Sequence, residues 1–281
     1  MNTLAAINRF VGLFPDTFRQ FSRGRIWLPL LVYFALVWLV LYAHYQHLSP
    51  VFHGLIEAWT GLVSPRRAVG FSHYPGHFLM LPFFFDWARL AVGLLFEGVA
   101  LGAAALMFSD RFLDVEKADR SSFRLILPSW IHLVVGWVVL NGLMLAAMIL
   151  LTSWLEGWLA GSPRRTMAFE FALMPGIYIG LLALFLFVIP AVAVYGETVV
   201  QAIKRSLGIF RRHPITCLAL AAVILAGPLA VSFVAGRPVM IVEKFNPELV
   251  YRILLAGLVI DLIAGFVWMG TAVRFLVDEE D

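Results

Sequence analysis

Six long apolar stretches constrain the fold of this chain more than any other feature of its sequence. They cover residues 26–45, 85–108, 125–154, 169–195, 215–234 and 251–275, and each is long enough to supply the roughly 20 residues that a helix needs to cross a bilayer core. Hydrophobic residues make up 61% of the chain and charged residues 14%, whereas soluble domains are about half apolar and about a quarter charged. The sequence therefore predicts an all-α polytopic membrane protein with no large soluble domain.

The basic residues predict how the spans are oriented. If the N-terminus is cytoplasmic, 13 of the 21 lysines and arginines fall on the cytoplasmic side, as the positive-inside rule requires. These residues are Arg9, Arg19, Arg23, Arg25, Arg111, Lys117, Arg120, Arg124, Lys204, Arg205, Arg211, Arg212 and Arg274. We therefore expect both termini in the cytoplasm, with residues 276–281 as an acidic tail.

An amphipathic stretch precedes each odd-numbered span. Apolar residues recur every three or four positions before the first span, and residues 110–124 before the third span are shorter and less regular. Before the fifth span, Val199, Ile203, Leu207 and Phe210 lie opposite a basic face. This spacing predicts elbow helices that lie in the membrane interface. The residues of the first stretch are Leu4, Ile7, Val11, Phe14, Phe18 and Phe21, and the basic face of the third consists of Lys204, Arg205, Arg211 and Arg212.

The outer loops repeat one pattern. A glutamate, a tryptophan and a Ser-Pro-Arg-Arg sequence recur at an offset of 98 to 99 residues, and a partial third copy begins at Arg237. Such repetition predicts three units of an elbow helix and a two-span hairpin, at roughly 1–108, 109–195 and 196–275, arranged with pseudo-threefold symmetry. The repeated residues are Glu57, Trp59, Ser64, Pro65, Arg66 and Arg67 in the first loop and Glu156, Trp158, Ser162, Pro163, Arg164 and Arg165 in the second.

Residues 187–214 carry a proline near a span end, a glutamate, an Ala-x-x-x-Ser elbow and an aromatic residue: Pro190, Glu197, Ala202, Ser206 and Phe210. This segment resembles the signature of the glycerophosphodiester phosphodiesterase membrane-domain and YciC-like family of bacterial inner-membrane proteins. The resemblance implies a six-span bundle with interfacial elbows and a role near lipid or envelope biology. It does not imply the phosphodiesterase activity, because the catalytic domain found beside some relatives has no counterpart here.

Two acidic residues, Glu97 and Asp261, fall in the middle of predicted spans. An ionised carboxylate in a membrane is costly unless it has a partner or faces water, and Arg89, Asn141 and His132 are the predicted partners. These residues predict either a proton or ion path, or hydrogen bonds that fix the packing of the helices. Arg89 also stands three residues after Asp86, a spacing that favours a local ion pair.

The first hairpin is rich in histidine, and the outer loops are rich in arginine. His44, His47, His73 and His77 have spacings that can suit zinc or copper, but no cysteine lies near them. The repeated arginines Arg66, Arg67, Arg164, Arg165 and Arg237 stand near Trp59 and Trp158. They predict contact with lipid headgroups, docking of an acidic partner, or ordinary interfacial anchoring.

The main functional hypothesis is a non-enzymatic subunit or anchor for an envelope complex that handles lipid in the bacterial inner membrane. Membrane lipid and a protein partner are expected, nucleic acid is not, and no cofactor is expected apart from bound phospholipid. A transporter coupled to protons or ions through Glu97 and Asp261 is the first alternative. A membrane-embedded lipid enzyme is the second, although the sequence carries no recognisable catalytic motif.

Overall fold

The computed structural model describes residues 3–113 and 126–280, and this part of the chain is helical throughout, with no strand. Six of its helices or helical runs are long and apolar enough to cross a membrane. They confirm the predicted all-α fold and are numbered here as the first to the sixth span. Their bounds are Gly24–Tyr45, Gly76–Phe112, Leu127–Leu159, Pro163–Tyr195, Pro214–Ala235 and Leu249–Glu279.

Several spans are longer than the apolar stretches that predict them, because a helix continues past the hydrocarbon core into the interface. The predicted acidic tail, residues 276–281, begins in such a continuation of a span. Residues 276–280 continue the helix of the sixth span, which ends at Glu280. Leu276 is buried, and Glu279 contacts Arg212 at 2.9 Å and His213 at 3.0 Å. These contacts hold the last turn against the bundle, so these residues do not form a separate tail.

Two of the three predicted elbow helices lie in the described residues. The N-terminal elbow helix is Thr3–Arg19 and the central elbow helix is Val199–Arg212. The second predicted elbow, 110–124, lies mostly outside the described residues, and its first residues end the helix of the second span at Phe112. The elbows and the C-terminal turn define the terminal end of the bundle. Its opposite end, the loop end, carries the short helices His53–Val63, Pro65–Phe71 and Pro238–Lys244.

The buried face of the central elbow helix is offset from the apolar face that the spacing of its residues indicates. Its buried residues are Val199, Ala202, Ser206 and Ile209, while Ile203, Leu207 and Phe210 are half-buried. Small side chains at positions 202 and 206 let this helix approach the fourth span closely, as small residues do between membrane helices.

Pro175 and Pro190 each predict a break in the fourth span. The span is interrupted just before Pro190, where helix Met174–Phe185 ends and helix Val188–Tyr195 begins after a gap of two residues. Because proline has no N–H, the Leu186 carbonyl loses its helical donor, and Trp268 Nε1 of the sixth span donates to that oxygen at 2.9 Å. The Ser206 hydroxyl donates to the Leu184 carbonyl at 2.7 Å and accepts from the Phe187 N–H at 3.3 Å. The central elbow helix and the sixth span therefore supply hydrogen bonds to the backbone groups at the break, which lipid cannot provide.

The spans pack as hairpins, since the first contacts the second, the third contacts the fourth, and the fifth contacts the sixth. The second and sixth spans also contact each other, at the centre of the bundle. The buried core has two parts: one cluster at the terminal end, which includes Phe108 and Phe275, and one at the loop end, which includes Phe84 and Leu254. The threefold repetition of the units stays a prediction.

Glycine allows the second and third spans to come close together. A methyl group placed on Gly98 would lie 2.7 Å from the Leu133 carbonyl oxygen and 2.8 Å from Trp137 Cβ. Gly102 faces Leu133 in the same way. The Gly98-x-x-x-Gly102 sequence thus marks a helix contact of the kind that small residues make in membranes.

We expect Gly98→Ala to lower the free energy of unfolding by about 1–3 kcal/mol, because overpacking a filled contact forces the helices apart. The measurement is unfolding by a denaturing detergent in mixed micelles. Gly142→Ala is the matched control, since a methyl group at Gly142 in the third span would meet no atom within 4 Å. Equal stability of the two variants would contradict the close contact.

Candidate functional site

A cavity of about 590 Å³ lies within the bundle, between the two parts of the core, and all six spans contribute to its wall. Most of the wall is apolar, but charged and polar side chains from different spans also reach it. The polar lining consists of Tyr33, Asp86, Arg89, Glu97, Asn141, Tyr178, Ser232 and Asp261.

An ion pair joins the second span to the sixth at this cavity. Arg89 Nη1 lies 2.8 Å from Asp261 Oδ2, and both side chains are largely buried. Arg89 is one of the partners predicted for the intramembrane acids, and its contact is with Asp261. Among the described residues no ion pair links Arg89 to Asp86, the partner that their spacing on one helix favoured. Asp86 stands on the same helix as Arg89, whereas Asp261 approaches Arg89 from the neighbouring sixth span. The packing of these two spans therefore decides which acid Arg89 contacts.

A second polar contact joins the first span to the second. The Tyr33 hydroxyl donates to Glu97 Oε2 at 2.7 Å. Gly93 makes room for this bond, since a methyl group there would lie 2.9 Å from Glu97 Oε2 and 3.2 Å from the Tyr33 hydroxyl. The carboxylates of Glu97 and Asp261 are therefore each held by a group from another span.

Other polar groups of the wall have no such partner. Neither the Asp86 carboxylate nor the Tyr178 hydroxyl has a hydrogen bond or ion pair with another described residue. The Asn141 amide donates to the Trp137 carbonyl of its own helix at 3.0 Å. These groups face a cavity that also has aromatic walls, so they are available to a bound molecule.

A smaller cavity of about 100 Å³ adjoins the first, on the side of the loop end. Its wall includes Pro82 and Phe85 of the second span and Leu254 of the sixth. Arg89 and Asp261 line both cavities. The ion pair therefore stands between the central cavity and the space that leads toward the loop end.

Four of the five intramembrane residues singled out in the sequence line the central cavity: Arg89, Glu97, Asn141 and Asp261. His132 is not among its lining residues. Sequence reasoning missed Tyr33, Tyr178, Trp137 and Trp268, because an aromatic residue in a span gives no signal that separates a cavity wall from a lipid-facing surface. A hydroxyl-bearing tyrosine in the middle of a span, as at Tyr33, is the one hint that was present.

Three of the five arginines in the predicted outer loops each lie against an aromatic ring. Arg67 lies over the Phe83 ring at 4.1 Å, Arg165 over Trp158 at 5.4 Å and Arg237 over Phe233 at 3.8 Å. Arg66 and Arg164 are exposed, and the Trp59 indole donates to the Phe84 carbonyl at 3.4 Å. Cation–π contacts of this kind anchor an arginine at a surface.

On the central elbow, Arg205 pairs with Glu197 at 2.6 Å and lies over the Tyr195 ring at 4.3 Å. Arg212 pairs with Glu279. Lys204 and Arg211 are exposed. Only part of the predicted basic face is therefore open to lipid headgroups, because two of its arginines hold acidic partners of the protein.

Three of the histidines are buried at the loop end. His44, His47 and His77 surround Phe71, and the rings of His47 and His77 lie 4.8 Å apart between centroids. Burial lowers the pKa of His47 below its ordinary value. His73 is exposed. The described part of the chain brings together no three histidine, cysteine or acidic side chains that could hold a metal ion.

A scan against protein-family models, a search of curated proteins and a search of solved structures each found no match. The six spans nevertheless define the class, which is a multi-pass α-helical membrane protein. The bundle contains a cavity that shares the Arg89–Asp261 ion pair with a smaller cavity beside it.

We expect Arg89→Gln and Asp261→Asn each to lower the free energy of unfolding by about 3–5 kcal/mol, because each leaves a buried charge without its partner. The double variant should lose less than the sum of the two losses, since no unpaired charge remains. Unfolding in mixed micelles measures all three.

Asp86→Asn is the control for these variants, and it should change stability by less than about 1 kcal/mol, because the carboxylate has no partner to lose. If the losses of the two single variants add up fully in the double variant, Arg89 and Asp261 are not coupled.

Proposed function

We propose that this chain is a transporter that binds a small molecule in the central cavity and couples its movement to protons at Glu97 and Asp261. The observation that supports the proposal most directly is a cavity lined by all six spans, in which two acidic residues are held by groups from other spans. Its volume of about 590 Å³ falls in the range of about 300–1,000 Å³ that small-molecule sites occupy.

The position of the cavity also supports transport. Transporters bind their substrates near the middle of the membrane, between elements that rock against each other. Here the two parts of the core close the bundle above and below the cavity. Such an arrangement allows one end to open while the other stays packed.

The contacts of the carboxylates suggest how protons are coupled to this opening. Protonation of Asp261 removes the negative charge that attracts Arg89. Protonation of Glu97 removes the negative charge from the carboxyl group that accepts the hydrogen bond of the Tyr33 hydroxyl. Each event weakens a contact between two spans. In the proposed cycle, loss of the Arg89–Asp261 pair joins the central cavity to the smaller cavity and opens a route to the loop end.

The distribution of basic residues supports a location in the bacterial inner membrane with the terminal end cytoplasmic. The family resemblance of residues 187–214 agrees with that location. One of its marker residues, Ser206, bonds the elbow to the fourth span beside the break that precedes Pro190, so the resemblance supports an architecture more than an activity.

A subunit or anchor of a lipid-related envelope complex is the second candidate function. It is favoured by the outer half of the third span, where Trp154 is 81% exposed and Trp158 47% exposed, beside the exposed Arg164. Such a surface suits lipid headgroups or a partner at the interface. No observation in the described part of the chain favours a lipid enzyme.

Cysteine accessibility tests the transporter proposal without knowledge of the substrate. Cys217 is fully buried, and Cys217→Ala provides a background without cysteine. Met144→Cys and Leu229→Cys place thiols on the cavity wall. We expect small, charged, membrane-impermeant thiosulfonate reagents to modify both in proteoliposomes from either side, and Asp261→Asn to raise the rate from the loop end several-fold, because thiolates form only where water enters.

Ile149→Cys is the matched control, because Ile149 lies on the third span but is exposed outside the cavity. It should not react, since a thiol in lipid stays protonated. If Met144→Cys and Leu229→Cys are as unreactive as this control, the transporter proposal fails. Phospholipid or a protein partner that then stays bound in native mass spectrometry would support the second candidate.

A further inference from the structure

The charges on the wall of the central cavity do not balance. Among the described residues, the wall carries three carboxyl groups, at Asp86, Glu97 and Asp261, and one guanidinium, that of Arg89. Asp261 holds Arg89 at 2.8 Å, and the same guanidinium also acts through its charge on Asp86 and Glu97 without an ion pair to either. The described wall therefore has more acidic groups than basic ones, which favours a cationic ligand over an anionic one.

The uncharged part of the wall is also suited to a cationic ligand. Five aromatic side chains line it: Tyr33, Phe34, Trp137, Tyr178 and Trp268. The indole rings of Trp137 and Trp268 lie 5.9 Å apart between centroids. Aromatic faces attract cations most strongly when the cation has left water, and the leucine and methionine residues between them suit a hydrophobic body.

Glu97 and Asp86 differ in how firmly they are held and in which cavities they line. Glu97 keeps one oxygen on the Tyr33 hydroxyl at 2.7 Å, which fixes its carboxylate in position. Asp86 makes no hydrogen bond or ion pair with another described residue, although the charge of Arg89 acts on it, and it lines the smaller cavity as well. A cation that enters by way of the smaller cavity therefore meets Asp86 before it reaches Glu97.

We infer that the cavity binds an amphipathic organic cation, a molecule with one permanent or protonated positive centre on a hydrophobic body. This inference rests on the proposed transport function and names the class of its substrate. Protons at Glu97 then compete with the cation for one carboxylate, which couples the binding of one to the release of the other.

Tetraphenylphosphonium and tetraphenylborate test the inference, because they share size and shape and differ in the sign of their charge. Radiolabelled ions are bound to the protein in lipid nanodiscs, and binding to empty nanodiscs is subtracted. We expect saturable binding of tetraphenylphosphonium at least about tenfold tighter than that of tetraphenylborate. Glu97→Gln and Asp86→Asn should each weaken binding of the cation by about tenfold.

Glu57→Gln is the matched control, since Glu57 is exposed on a loop helix outside the cavity, and it should leave binding unchanged. Asp86→Asn keeps the test valid if Glu97→Gln does not fold, because Asp86 supports no contact. Equal binding of the two ions, or cation binding that neither variant weakens, would overturn the inference.

The cysteine accessibility experiment distinguishes a wrong substrate class from a wrong transport proposal. If the cavity thiols react but tetraphenylphosphonium does not bind, the cavity is open to solutes and the substrate belongs to another chemical class. If the thiols do not react and neither ion binds, the transport function itself is wrong.

Discussion

Lipid offers no hydrogen bonds, so a polar group inside this bundle needs a partner from the protein or must face the central cavity. The structure meets this requirement by contacts between spans. Arg89 of the second span meets Asp261 of the sixth, and Tyr33 of the first meets Glu97 of the second. At the terminal end, Trp268 supplies the donor that the Leu186 carbonyl lacks. Polar contacts thus fix which helices are neighbours, while apolar packing fills the space between them.

The same requirement explains why the bundle is solid at its ends and open in the middle. Glycine, alanine and aromatic residues pack closely at the terminal end, and Phe71, Phe78 and Phe84 fill the loop end. Between them the second span presents Asp86, Arg89 and then Glu97, whose side chains need room and partners. A layer of charged groups cannot pack as densely as leucine does, and the cavity occupies this layer.

The length and composition of the apolar stretches were enough to predict all six spans, because crossing a bilayer demands a minimum number of apolar residues. Pro190 also predicted a break in the fourth span, since proline removes a helical donor wherever it stands. For Arg89 the sequence left two kinds of partner open, the intramembrane acids Glu97 and Asp261 and the neighbouring Asp86. Helical periodicity shows only which residues share a face of one helix, so it favoured Asp86. The approach of the sixth span, which brings Asp261 to Arg89, is a property of tertiary packing.

Trp268 connects the cavity to the terminal end of the bundle. Its indole lines the cavity and contacts Trp137, while its N–H bonds the carbonyl of Leu186 at the break in the fourth span. That break is also held by Ser206 of the central elbow helix. Asp261 and Trp268 stand on the same helix, two turns apart. In the proposed cycle, a shift of the sixth span that follows the loss of the Arg89–Asp261 pair must also strain the Trp268–Leu186 bond. The helix of the fourth span is interrupted at that point, so the span can bend and follow the sixth span. The central elbow helix, which is bonded to the fourth span, then moves as well.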